Sequence, residues 1–108
     1  MIQKLLDALE YGDEVAVSAC FAEDGQFFDY CPCVNGKEAY IIYGRSGIEM
    51  LYRNLFAINR LIVSVPEADG DISGTFFGAY EGPYVFARVS IQETDDNGLI
   101  KRAVVTPA

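Results

Sequence analysis

The sequence contains no histidine. That absence removes the usual base of Ser-His-Asp and Cys-His nucleophile systems. It also removes zinc sites built on imidazole. Any proton transfer near neutral pH must fall to Asp, Glu, Tyr, Lys or Cys, with a pKa tuned by its surroundings. Basic residues are scarce as well: eight Lys and Arg stand against sixteen Asp and Glu, a formal charge of -8. Such a chain repels phosphate backbones and anionic membranes, so neither nucleic acid nor membrane is expected as a partner. Three cysteines, Cys20, Cys31 and Cys33, do not make a disulfide framework. The Cys31-Pro32-Cys33 run has C-x-C rather than C-x-x-C spacing and reads as reduced thiols in a loop, not as a metal or redox pair. No metal and no cofactor is expected. Long apolar runs are missing too. "MIQKLLDALE" is broken by Lys4, Asp7 and Glu10, leaving no signal-peptide core, and no apolar run approaches a membrane span. A soluble, cytoplasmic protein is the expectation.

What is present suits one domain over residues 1–108, large enough to bury a core without staples. Ile2, Leu5, Leu6 and Leu9 fall at helical spacing. Gly12 suits that helix's C-terminus and Asp13 the N-cap of a second helix, about Glu14 to Phe21, which "AEDG" ends in a turn. "QFFDY" (26–30) reads as a strand, "CPCVNGKE" as a loop and "AYIIYG" (39–44) as a second strand. "SGIEMLYRNLFA" predicts a third helix, with Ser46 and Glu49 at capping-box spacing and Ile48, Leu51, Tyr52, Leu55 and Phe56 on one stripe. Four β-rich runs follow, "RLIVSVPEA", "ISGTFFGAY", "PYVFARVSIQET" and "LIKRAVV", separated by the turn sequences "DGD", "EGP" and "DDNG".

Helices first and a strand meander last define an α+β class. The expected architecture is a curved antiparallel sheet wrapped around an N-terminal helical hairpin and a third helix. Several strands are apolar on both faces; Tyr84 and Phe86 alternate with Val85, Ala87, Val89 and Ile91. One face can bury against the helices. The other calls for cover, and a homodimer through the outer sheet face would supply it.

The stretches "ALEYGDEVAVSACFAEDGQFFD" and "GRSGIEMLYRNLF" resemble the nuclear transport factor 2-like superfamily, also called cystatin-like or SnoaL-like. Its members commonly read Ala-Leu-x-x-Gly-Asp, a short helix, Phe-Ala-x-Asp and a strand ending in Asp, then a Gly-rich entry into a helix. Ketosteroid isomerase and the SnoaL-like polyketide cyclases belong to it. The resemblance covers the first half well and the second half only as a meander. It implies a cone-shaped pocket between helices and sheet that takes a small apolar molecule. With Gly12-Asp13 as anchor, the general base of ketosteroid isomerase falls on Asp29. Its helix tyrosine falls near Tyr52 if an insertion lies in "CPCVNGKEAY". Two departures stand out. The oxyanion-hole tyrosine falls on Leu5, which cannot donate, and no Asp or Glu occurs between Tyr84 and Gln92 to serve as the hole's acid. Loss of even one such donor costs about a hundredfold in rate, so steroid isomerisation by that mechanism is not expected.

Asp29 is the leading candidate for chemistry. By strand alternation it shares a face with Phe27, and burial would raise its pKa toward that of a useful base. The plain alternative is a strand-end acid, solvated or paired with an arginine. Tyr52 is either the assisting hydroxyl or a core tyrosine whose hydroxyl reaches a neighbour. Phe27, Tyr30, Phe56 and Arg88 are the accompanying candidates for ligand contact. Arg88 also invites comparison with the Asp-Arg-Asp arrangement of limonene epoxide hydrolases, although its stem packing with its head on the outer face is the simpler reading. Two functions stay open: a small-molecule enzyme, and a non-catalytic ligand-binding or dimerisation module of the same fold.

Overall fold

The computed structural model describes residues Met1–Ala108. Helix α1 (Ile2–Tyr11) buries Ile2, Leu5, Leu6, Ala8 and Leu9, the stripe its spacing predicts. It ends at Gly12, whose φ of 67° is the left-handed conformation that glycine adopts freely. Asp13 then caps α2 (Glu14–Ala19), accepting a hydrogen bond from the backbone N–H of Ala16 at 3.0 Å. No helix is long and apolar enough to cross a membrane.

Strand β1 (Phe21–Asp29) is longer than its sequence suggests, because "AEDG" is not a turn but the bulged first half of the strand. Gly25 permits this. A Cβ there would stand 2.9 Å from the carbonyl oxygen of Ile100 and 3.0 Å from that of Ala22. Arg45 holds the bulge from the other side, with Nε and Nη2 donating to the carbonyl of Phe21 at 2.9 and 2.6 Å. A 3-10 helix over Cys31–Asn35 leads to the short strand β2 (Tyr40–Tyr43).

Helix α3 (Arg45–Ala57) starts at Gly44 without a side-chain cap. The expected Ser46–Glu49 capping box does not form. Glu49 instead accepts from Ser18 of α2 at 3.3 Å and from Arg53 at 2.7 Å, one turn on. Ile48, Tyr52 and Leu55 are buried along its inner stripe.

Four strands complete the chain: β3 (Ile62–Asp69), β4 (Ser73–Ala79), β5 (Tyr84–Thr94) and β6 (Ile100–Pro107). They form the expected antiparallel meander. Strand β1 joins it beside β6 and parallel to it, so the six-stranded sheet, ordered β2-β1-β6-β5-β4-β3, is mixed as a whole. A parallel neighbour requires a long crossover, which α3 and the meander provide. Bulges in β1, β3 and β5–β6 interrupt the register, and such bulges bend strands and give a sheet its curvature.

The helices cover one face of this sheet. Phe27, Val63, Phe76, Val85, Ala87, Val89, Ala103 and Val105 point into the core between them. The opposite face keeps Phe77, Tyr84 and Phe86 exposed, with the rings of Phe77 and Phe86 4.8 Å apart.

Candidate functional site

Asp29 closes β1, and strand alternation turns it inward with Phe27, as the sequence pattern implies. It is 1% exposed, the one acidic side chain that the fold fully buries. It is neither solvated nor paired with an arginine. Its Oδ1 accepts the backbone N–H of Cys31 at 2.9 Å, and its Oδ2 accepts the hydroxyl of Tyr80 at 2.5 Å. Burial raises the Asp29 pKa from 3.8 to about 6, opposed first by the Tyr80 hydrogen bond and then by Cys31. Desolvation therefore outweighs hydrogen bonding, and the carboxyl changes charge close to neutral pH.

Tyr80 reaches this position from the end of β4, beyond β6 and β5 from β1 in the sheet. Phe76, Gly78 and Tyr80 alternate onto the inner face. Gly78 makes room for the rings: a Cβ there would stand 2.6 Å from Cε2 of Tyr80 and 3.1 Å from Cε1 of Phe76. In the sequence Tyr80 is only one of many tyrosines; the period-2 run Phe76-x-Gly78-x-Tyr80 is the signal that marks it.

Tyr52 is fully buried on α3, and its ring stacks on Phe27 at 5.4 Å. Its hydroxyl has no hydrogen-bond partner. Such a group is uncommon, because a buried hydroxyl without a partner costs about 1–3 kcal/mol. Burial and the nearby Asp29 charge both push the Tyr52 pKa up, so it stays a protonated donor. Tyr40, half-buried and opposite Asp29 in the β1–β2 pairing, sets its ring 6.1 Å from that of Tyr80.

The other candidates divide. Phe27 lies in the aromatic group. Phe56 reaches only its edge, 5.6 Å from Tyr52, and packs against Gly12. Tyr30 is 41% exposed and lies at the surface. Arg88 is on the outer face of β5, where it pairs with Asp69 at 3.3 Å. No Asp-Arg pair with Asp29 is formed, because Val89, not Arg88, faces inward. Leu5 sits in the core, and the buried inward positions of β5 are all apolar.

Cys31 is buried beside Asp29, and desolvation followed by the adjacent carboxylate pushes its thiol up to about 12. It is thus a poor nucleophile. Cys33 is exposed, and all three cysteines are free. No cluster of three or more Cys, Asp or Glu side chains is placed to hold a metal ion.

The segment after Asp29 closes the site. Asn35 Nδ2 donates to the carbonyl of Tyr80 at 3.4 Å, and Lys37 pairs with Glu81 at 3.5 Å. Glu81, at φ 57°, also binds Arg60 at 3.1 Å. An open cleft of about 620 Å³ lies elsewhere, between α1, α2 and the β5–β6 turn, with Lys4, Ala16, Cys20 and Leu99 in its walls.

Comparison with known proteins follows the fold rather than the sequence. No family model and no curated protein matches the chain. Solved structures do. A cystatin-like protein of Silicibacter pomeroyi shares 17% identity at a TM-score of 0.67, over 97% of this chain and 71% of its own. A nuclear transport factor 2-like protein of Cytophaga hutchinsonii shares 12% at 0.66, over 97% and 84%. The fold is that of the nuclear transport factor 2-like proteins. A ketosteroid isomerase-like protein of Catenulispora acidiphila, in complex with trimethylamine, has the same fold at 15% identity and a TM-score of 0.66, over 97% and 82%.

Proposed function

We propose that the chain binds a small, mainly apolar molecule between its helices and sheet, with Asp29 as the proton-transfer base. The observation that carries this reading is the pairing of a buried carboxyl with a buried hydroxyl that lacks a partner. Asp29 has a pKa near 6 and Tyr52 Oη has no hydrogen bond, although nothing about stability requires either. A ligand oxygen accepting from Tyr52 would satisfy that donor, and a proton on the adjacent carbon would face Asp29. Entry requires the 31–39 segment to part from Tyr80 and Glu81, contacts that are few and mostly at the surface. A neighbour of the same fold forms a complex with trimethylamine, which supports a small-molecule role.

A second reading, a non-catalytic binding module, is favoured by Leu5 in the core and by the apolar interior of β5, positions that supply no hydrogen-bond donor. Deuterium exchange into a compact ketone such as cyclohexanone separates the two. The enzymatic reading expects the protein to accelerate exchange and Asp29→Asn to abolish it. Binding without acceleration would leave the binding module.

The outer face supports a homodimer. Phe77, Tyr84 and Phe86 form an exposed aromatic patch on the meander, and a two-fold partner would cover it. The charge of -8 keeps nucleic acid and anionic membranes out of the reading.

A further inference from the structure

The cleft between α1, α2 and the β5–β6 turn, about 620 Å³, has the size of a small-molecule site and lies outside the Asp29 interior. Ala8 of α1 and Ala16 and Ala19 of α2 line it, where longer side chains would fill it. Cys20 and Leu99 continue the apolar wall. Burial pushes the Cys20 thiol's pKa up, against the nearby Lys4 ammonium, and Sγ donates to the Ala16 carbonyl at 3.3 Å. The thiol therefore stays neutral and serves as apolar surface. The opposite wall is fixed in place. Asp95 Oδ1 accepts the backbone N–H groups of Asn97 and Leu99 at 2.9 Å, and Ile100 N–H donates to the Cys20 carbonyl at 2.9 Å. Walls already ordered lower the cost of binding.

The rim carries both signs of charge. Lys4, Asp7 and Tyr11 fall at i, i+3 and i+7 on α1, and all three border the cleft. Lys4 is the one basic side chain with neither an ion pair nor a hydrogen bond. Lys37, Arg53, Arg60, Arg88, Lys101 and Arg102 pair with acids, and Arg45 holds the Phe21 carbonyl. Asp7, one turn on, meets only the neutral amide of Gln3 at 2.9 Å. It forms no ion pair with Lys4, and a lysine N-terminal to its acid is the weaker order on a helix. Tyr11 stands at the lip with its ring 80% exposed.

We propose that this cleft is a second ligand site, for a free α-amino acid with an apolar side chain. The ligand's carboxylate meets Lys4, its ammonium meets Asp7 and the Tyr11 ring, and its side chain lies on Ala8, Ala16, Cys20 and Leu99. An α-amino acid carries its two charges on either side of one carbon, which suits a lysine and an aspartate one turn apart. A simple carboxylate would face the acids Asp7 and Asp13 at the rim and the chain's charge of -8. A simple amine would meet the like charge of Lys4 and leave it unanswered. The zwitterion is neutral overall and answers both signs. The site shares no residue with the Asp29 interior and is independent of that reading.

The test titrates three probes into the full chain and follows them by NMR at Ala16, Cys20 and Leu99. They are L-leucine, 4-methylpentanoate, which lacks the ammonium, and 3-methylbutylamine, which lacks the carboxylate. L-Leucine is expected to bind about fivefold more tightly than either analogue, the gain from one exposed ion pair. Lys4→Gln should erase its advantage over the amine, and Asp7→Asn its advantage over the carboxylate. Both variants keep the fold, since Lys4 is exposed and makes no bond, and an asparagine still accepts from Gln3. Equal or tighter binding of either analogue overturns the zwitterion assignment. If L-leucine shifts Asp29 and Tyr52 instead, the ligand belongs to the interior and the cleft assignment fails. No shift at Ala16, Cys20 and Leu99 at high millimolar concentration refutes the site and leaves the Asp29 reading untouched.

Discussion

The hydroxyl of Tyr80 lies 2.5 Å from Oδ2 of Asp29, joining residues 51 positions apart in the chain. This contact ties the end of β4 to the end of β1 across the interior. With Asp29 ionised it is a charge-assisted hydrogen bond in a buried site, where such bonds are strong and their loss is expensive. Tyr80→Phe is therefore expected to destabilise the fold by about 1–3 kcal/mol in denaturant titration. It should also raise the Asp29 pKa further, because Tyr80 is the largest influence holding it down. An unchanged midpoint would mean that the bond is absent in solution.

Stability should depend on pH through Asp29. Its pKa is about 6 in the folded protein, against 3.8 for the free group. Between these values the folded chain holds a proton that the unfolded chain has released. The contribution of this group is thus fully present below pH 3.8 and is lost as pH rises through about 6. A pKa raised this far corresponds to roughly 3 kcal/mol. Thermal or urea unfolding between acid and neutral pH checks it: Asp29→Asn should flatten that part of the profile, and an identical slope in the variant would refute the assignment.

Much of this site was legible in the sequence. The alternation of Phe27 and Asp29 placed the carboxyl inward, and the stripe through Ile48 and Tyr52 placed the second hydroxyl on the inner side of α3. Tyr80 was not legible, because its role depends on the order of strands. Only the parallel entry of β1 beside β6 brings Asp29 within reach of a residue at the end of β4. The first half of β1 misled for a local reason. "AEDG" has turn composition, yet Gly25 serves a bulge against the Ile100 carbonyl rather than a reversal. Arg88 showed the converse. Its place between apolar neighbours is simple alternation, and Asp69 on the outer face holds its head.

Gly78 is a packing requirement rather than a conformational one. Any side chain there meets the Tyr80 ring, which is fully buried. Gly78→Ala should cost about 1–3 kcal/mol, the usual range for forcing an extra methyl group against tightly packed rings. In a double-mutant cycle, Gly78→Ala should cost less in a Tyr80→Ala background than in the unmodified chain, which would localise the clash to that ring.

The exposed aromatics of the outer face set the expected assembly. Sedimentation at high micromolar concentration should show a dimer, and Phe86→Lys should shift it toward monomer by placing a charge within the patch. A monomer in the unmodified chain under those conditions would refute the outer-face dimer.

The central claim is that Asp29 is a buried, tunable acid rather than a strand-end carboxylate. Carbon-13 NMR titration of its side-chain carboxyl tests this most directly. The account predicts a titration midpoint near 6, moving upward in Tyr80→Phe. A midpoint at or below the free-group value of 3.8 would contradict it.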